Sequence, residues 1–178
     1  MVLKKSNLLI LFLVLTFLVG FTILYYNYKQ RYVSKDKLLE YIQNNVITEN
    51  SFNVQLRKQQ DIDNKHIVIF TFNKRGNPDG LLGFAVFKII PNNKYKLEKY
   101  SASSINPNIE TITTQDEKGN NKNYAIFYGI IPEWQPNKYK VISEGREYIE
   151  ELKKNEYFIK EFILKEGQGV QLIPIESY

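Results

Sequence analysis

The sequence contains no cysteine and only one histidine in 178 residues. The absence of cysteine excludes disulfides, thiol nucleophiles, lipidation at cysteine and thiolate metal sites. One imidazole cannot form a His/Cys metal site, and no Gly-X-Ser-X-Gly sequence is present to expose a serine nucleophile beside it. We therefore expect no metal ion or other cofactor, and we interpret His66 as the start of an apolar strand rather than as a catalytic base.

Alanine is also scarce in the chain. There are three Ala, compared with 21 Ile, 20 Lys and 18 Asn. This bias is typical of an AT-rich genome, and together with the missing cysteine it suggests a low-GC Gram-positive bacterium.

The excess positive charge is confined to the N-terminal part. The formal net charge is +5, but residues 36–178 contain 19 Lys and Arg and 19 Asp and Glu. The excess lies on residues that flank an apolar run: Lys4, Lys5, Lys29, Arg31 and Lys35. Charge at this place favours contact with anionic lipid headgroups, so we predict the lipid bilayer as a partner and no nucleic acid.

The apolar run at residues 8–26 has no charged residue, and fourteen of its nineteen residues are Leu, Ile, Phe or Val. As a helix it would extend roughly 28 Å, close to the thickness of the bilayer hydrocarbon. We predict a short basic tail at residues 1–7 and a single-pass transmembrane signal-anchor helix at residues 8–28. A cleaved signal peptide is the alternative, but the best cleavage position, residues 18–20, has only one of the two small residues required.

Residues at both ends of the run are predicted to lie at the membrane interface, with tyrosines in an aromatic belt and basic residues at the headgroups. They are Lys4, Lys5, Tyr25, Tyr26, Tyr28, Lys29 and Arg31. A basic tip before an N-terminal apolar run is the usual export signal, so we place the C-terminal domain outside the cytoplasm. The count of basic residues leans the other way, and the alternative is a cytoplasmic domain whose Lys29, Arg31, Lys35 and Lys37 contact the inner leaflet.

The rest of the chain is predicted to fold as one mainly β domain behind a short stalk. Residues 29–50 form the stalk, in which Ser34 or Asp36 can cap a helix over residues 37–45. Its apolar stripe is Leu38, Leu39, Tyr41, Ile42 and Val46. From residue 51 to 178 the period changes to two, and about eight or nine short strands indicate an antiparallel sandwich or open barrel.

Local patterns predict particular turns and strands. Residues 77–80 (Asn-Pro-Asp-Gly) are a strong turn signal. Residues 124–131 are apolar on both faces, which is typical of a central strand. Residues 139–143 and 146–152 read as a hairpin, with a short helix over residues 147–152 as the alternative. Two further segments, residues 157–165 and 170–175, are predicted to pair as a closing hairpin.

Several of these strands resemble a pattern in small membrane-anchored or exported proteins of bacilli and their relatives, which have no assigned function. The matching segments are Gly83-Phe84-Ala85-Val86-Phe87, Tyr95-Lys96-Leu97, Tyr124-Ala125-Ile126-Phe127-Tyr128-Gly129 and Tyr157-Phe158-Ile159. The resemblance covers roughly residues 36–159 and consists of apolar residues and glycines. It implies a β-rich bacterial ectodomain and transfers no active site.

Two groups of acidic residues are candidate sites. Residues 61–64 (Asp-Ile-Asp-Asn) begin like a calcium loop, but the chain has His66 and Phe72 where the motif requires Gly and Glu, so we predict a turn. The second group is Glu144, Glu147, Glu150 and Glu151. Two of these acids could flank a glycosidic bond, but basic residues lie among them, which favours a solvated face of mixed charge.

Trp134 is the only tryptophan and the candidate interaction residue. Pro132 and Pro136 hold its loop extended, and a Trp on such a loop often contacts a partner, a sugar or a headgroup. The alternative is that the ring folds back over an open sheet edge and covers the core.

The combined patterns favour a non-enzymatic interaction or accessory module tethered to the cell membrane. Its partner would be an envelope protein, a peptide or a wall polymer. The alternative is a hydrolase of envelope polymers that uses the acids Glu144, Glu147, Glu150 and Glu151.

Overall fold

A computed structural model of the chain describes residues 5–47, 51–143, 146–165 and 169–175. The side chains at 5–11, 26–31 and 77–79 lie outside this description, as do Lys4 and Glu144. The described residues form two α-helices and eleven strands. The helices are α1 (Lys5–Arg31) and α2 (Leu38–Asn45). The strands are β1 (Val33–Ser34), β2 (Ser51–Ile62), β3 (Lys65–Lys74), β4 (Asn77–Ile90), β5 (Lys94–Ser103), β6 (Asn108–Gln115), β7 (Asn121–Ile130), β8 (Lys138–Ser143), β9 (Arg146–Glu151), β10 (Tyr157–Leu164) and β11 (Gln171–Ile175).

Helix α1 contains the whole apolar run. Its large apolar side chains between positions 12 and 25 are all exposed, from 51% for Val14 to 75% for Phe17. None of the helices that the structure describes combines the length and the apolar character needed to cross a bilayer. The transmembrane segment therefore stays a prediction.

Helix α2 confirms the predicted short helix in the stalk and its packing onto the β domain. A 3-10 turn (Lys35–Lys37) leads into it, and Leu38 and Ile42 of its apolar stripe are fully buried. The predicted side-chain cap is not formed. The side chain of Ser34 instead hydrogen-bonds the Asp36 carboxylate, and this bond lowers the pKa of that carboxyl.

The strands form three antiparallel sheets, which confirms a mainly β, antiparallel domain. The first sheet has the order β1-β5-β4-β3-β2, the second β10-β7-β6 and the third β11-β8-β9. One face of the first sheet packs against α2. Its other face packs on the second sheet, whose far face packs on the third. Neighbouring residues along a strand of the middle sheet therefore pack into two different cores.

Strand β7 confirms the prediction of a central strand. It lies between β6 and β10 in the middle sheet. Ile126 and Tyr128 face the first sheet, whereas Ala125 and Phe127 face the third. Apolar residues on both faces are therefore required because both faces are covered.

One predicted turn was wrong, whereas one predicted hairpin was confirmed. The chain reverses at Arg75 and Gly76, with Lys74 paired to Asn77, so the predicted turn at residues 77–80 is instead the beginning of β4. Gly76 has a φ of +88°, a conformation that glycine adopts without steric cost. The predicted hairpin of residues 139–143 and 146–152 is confirmed, since β9 pairs with β8, and its helix alternative is wrong.

The predicted closing hairpin was wrong as well. Strand β10 pairs with β7, and β11 pairs with β8, so the two last strands belong to different sheets. The reason is burial: β10 contributes Ile159 to one core and Phe158 and Phe162 to the other, which only a strand of the middle sheet can do.

Candidate functional site

Trp134 lies in the connection that leaves the middle sheet. β7 ends at Ile130, Ile131 makes an isolated bridge to Lys154, and β8 begins at Lys138. The side chain of Trp134 is 76% exposed. The indole therefore does not fold back to cover the core, and it is presented to solvent on what we call the Trp134 loop (residues 132–136).

The segment at residues 154–155 holds the Trp134 loop in place. Asn155 donates its backbone N–H to the carbonyl of Ile131 (2.8 Å) and its side-chain amide to the Glu133 carboxylate (2.6 Å). The ammonium group of Lys154 donates to the backbone carbonyl of Glu133 and lies 3.9 Å from its carboxylate. Within the loop, the Gln135 N–H donates to the carbonyl of Pro132 (3.1 Å). The exposed ring is thus carried by a backbone that is already ordered.

A second loop borders the site. The side-chain amide of Gln135 donates to the Asn106 side-chain oxygen at 3.4 Å. At Gly129, near the end of β7, an added Cβ would lie 2.9 Å from the Asn106 carbonyl oxygen, so the two segments are in close contact. Asn155 and Asn106 therefore fix the Trp134 loop from two sides, through Glu133 and Gln135 respectively. The indole itself stays exposed, and an exposed aromatic face can stack on a ligand.

In comparisons with known proteins, no family model, no curated protein and no solved structure matches this chain. The resemblance to exported proteins of bacilli stays a prediction, and the function has to be inferred from the site.

The acidic residues of β9 are each paired with a lysine. Glu147 lies 2.6 Å from Lys140, and Glu151 lies 3.6 Å from Lys138. Glu150 points to the other face of β9, where it lies 2.7 Å from Lys160 of the middle sheet. Glu144 is outside the described residues. Because neighbouring residues alternate between the faces of a strand, Glu150 and Glu151 are directed apart rather than into one cleft.

His66 is the second residue of β3 and is buried. Its Nδ1 contacts the Asp61 carboxylate, and its Nε2 lies 3.0 Å from the side-chain oxygen of Gln59. The ring also packs on Tyr95, with 4.9 Å between the centroids. Both nitrogens are engaged by neighbouring β2, as expected of a structural histidine.

The turn predicted at residues 61–64 is confirmed at Asp63 and Asn64, whereas Asp61 and Ile62 are the last residues of β2. Asp63, with a φ of +49°, directs its carboxylate to the middle sheet, where it accepts hydrogen bonds from Thr114 (2.7 Å) and Tyr124 (3.0 Å). Lys122 lies 3.9 Å from it. Among the side chains that the structure describes, no three His, Asp or Glu residues are grouped to hold a metal ion. The turn therefore fastens the first sheet to the second.

The titration of Tyr124 makes the stability of the fold depend on pH in the alkaline range. Burial, followed by the hydrogen bond to Asp63, raises the pKa of Tyr124 to about 12. In the unfolded chain a tyrosine loses its proton near pH 10. Between pH 10 and 12 the unfolded state thus binds fewer protons than the folded state, and the free energy of unfolding falls as the pH rises.

We expect Tyr124→Phe to flatten this decline. Urea unfolding at pH 8 to 12 would measure it, because removal of the hydroxyl removes its titration from both states. Below pH 9 the variant and the parent chain should depend on pH in the same way, which is the internal control. An equally steep decline in both above pH 10 would contradict the prediction.

Proposed function

We propose that the chain is a single-pass membrane-anchored protein whose extracytoplasmic β-rich domain is a non-enzymatic interaction module, and that the Trp134 loop is its binding surface. The observation that carries this proposal is the 76% exposure of Trp134 on a loop held by Lys154 and Asn155. A large aromatic ring that stays exposed does not gain the favourable free energy of apolar burial unless a partner covers it. Hot spots of protein interfaces are also enriched in Trp.

The anchor is supported by the sequence of residues 8–26 together with the exposure of α1. A helix that is apolar all around is normally covered by protein or by lipid. The described side chains of α1 from position 12 to 25 are mainly exposed, so lipid is the cover that we propose. For positions 8–11 and 26, the support for the anchor is the sequence alone. The lipid bilayer is then one partner, and the flanking basic residues contact its headgroups.

The second partner would be an envelope protein, a peptide or a wall polymer. An ordered loop loses little conformational entropy on binding, so the energy of stacking on the indole is retained in the affinity. The exposed face of the indole suits sugar rings and apolar peptide side chains, on which an aromatic ring can stack. No described contact favours the hydrolase alternative, since Glu147, Glu150 and Glu151 each have a lysine partner.

The test is crosslinking of intact cells with a membrane-impermeant reagent, followed by recovery of the chain through a C-terminal tag. We expect Trp134→Ala to lower the recovery of the crosslinked partner by on the order of thirtyfold, the effect of losing about 2 kcal/mol at a hot spot. Because the indole is exposed, stability should change by no more than about 0.5 kcal/mol.

Phe52→Ala is the matched control, since Phe52 is a 49% exposed aromatic residue on β2, away from the Trp134 loop in the sequence and the sheets. It should leave recovery unchanged. Equal recovery with Trp134→Ala would remove the loop from the binding surface. The absence of any crosslinked partner in the parent chain would contradict both the outward orientation and the interaction role.

A further inference from the structure

A cavity of about 550 Å³ lies where α1, β1, α2 and the start of β5 meet. Three tyrosines from different elements line it: Tyr25 of α1, Tyr32 before β1 and Tyr41 of α2. Its volume is sufficient for a small ligand or for the headgroup of a lipid. It is separate from the Trp134 loop, which contributes no residue to it.

The charged residues of the cavity lie on β5 of the first sheet and on the 3-10 turn and α2. β1 pairs with β5 so that Ser34 is opposite Lys94, and this register brings Lys94 to the cavity. Lys37, at the end of the 3-10 turn, and Glu40, in the first turn of α2, are the other charged residues among the described lining side chains. Lysines therefore outnumber carboxylates among the lining residues that the structure describes.

We propose that this cavity binds a phosphodiester monoanion, and that the ligand is the headgroup of an anionic phospholipid. The lysines of the lining suit a negatively charged phosphate, and the phosphates of phospholipid headgroups are phosphodiesters. The hydroxyls of Tyr25 and Tyr41 and the amide of Asn44 add hydrogen-bond donors to the lining, whereas the amide of Asn45 donates to the carbonyl of Tyr41.

The position of the cavity points to lipid as the source. Tyr25 belongs to the last turns of α1, so if α1 lies in the bilayer, the cavity opens at the depth of the headgroups. This step rests on the proposed membrane anchor. A soluble glycerophosphodiester offers the same phosphate chemistry, and the experiment must separate it from the lipid.

The experiment uses the full chain in lipid nanodiscs of phosphatidylcholine, with and without 10% phosphatidylglycerol. Native mass spectrometry would count the lipids that remain bound after release of the chain. We expect phosphatidylglycerol to be retained about tenfold over its share of the disc, and the double variant Lys37→Gln/Lys94→Gln to lose this enrichment, a difference of about 1.4 kcal/mol.

The matched control is Lys88→Gln/Lys96→Gln, which removes the same charge from a cross-strand pair of β4 and β5 outside the cavity. It should keep the enrichment. Equal enrichment in both double variants overturns the proposal. Displacement of the lipid by an equal concentration of soluble glycerophosphoglycerol overturns the lipid as the source, whereas inorganic phosphate should not compete.

The two proposals fail in different ways in this experiment. A chain that does not enter discs of phosphatidylcholine alone overturns the anchor, and with it the lipid assignment. A chain that enters these discs but retains no excess of phosphatidylglycerol overturns the cavity assignment and leaves the anchor standing.

Discussion

Phe84→Ala is expected to lower the free energy of unfolding by about 3–5 kcal/mol, the usual effect of truncating a buried aromatic residue. Phe84 is fully buried in β4, and its ring stacks on Tyr128 of the middle sheet with 4.4 Å between the centroids. The truncation would leave a cavity between two sheets. Neither sheet can close the gap easily, because the opposite face of each is packed against another layer.

Urea unfolding of the full chain in detergent, followed by tyrosine and tryptophan fluorescence, would measure this loss. Phe52→Ala is again the matched control, because the same atoms are removed from a residue that is only half-buried. Phe52→Ala should lower the free energy of unfolding by well below half as much as Phe84→Ala does. Similar losses for the two variants would contradict the stacking of the first and second sheets on one another.

Periodicity was sufficient to predict the strands near Phe84 and the central strand β7. In both strands, the apolar residues of the sequence lie on the faces that pack against neighbouring layers. The apolar stripe of α2 was predictable for the same reason, since Leu38 and Ile42 repeat at helical spacing and both are buried. These predictions depend on residues close together in the chain.

The pairing of β10 and β11 could not be predicted in that way. A short connection containing glycine favours a hairpin, but Phe158, Ile159 and Phe162 all need cover. The second sheet offers two covered faces, and a terminal hairpin does not. Which strand pairs with which is therefore decided by burial between segments that are far apart in the sequence. A local turn signal does not predict this pairing.

The candidate sites show the same limit. The sequence indicates Trp134 through its proline-flanked loop, but the contacts that hold this loop come from Lys154 and Asn155, about twenty residues further along the chain. Lys94 reaches the cavity beside α1 only because β1 pairs with β5. No local sequence pattern around Lys94 indicates that it lies near the apolar run. Lys37, in contrast, is close to that run in the sequence itself.

Gly83→Ala is the second variant with a large expected effect. Gly83 pairs across the strands with Phe70, and an added Cβ would lie 2.3 Å from Cζ of that buried ring. The ring cannot move away freely, because it packs between Phe72 and Tyr100, with centroid distances of 5.9 and 6.2 Å. We expect a loss of about 3 kcal/mol, at the upper end of the cost of overpacking a core.

A compensating substitution separates this clash from a general intolerance of the position. Phe70→Leu removes the ring atoms that the new methyl group would meet, so the double variant Gly83→Ala/Phe70→Leu should be more stable than the sum of the single losses predicts. Gly169→Ala is the control, because among the described residues other than its chain neighbours no heavy atom lies within 4 Å of its added Cβ. It should change stability by no more than about 0.5 kcal/mol. Strictly additive losses in the unfolding curves would show that the ring of Phe70 does not cover Gly83. The register between β3 and β4, which brings them opposite each other, would then be wrong.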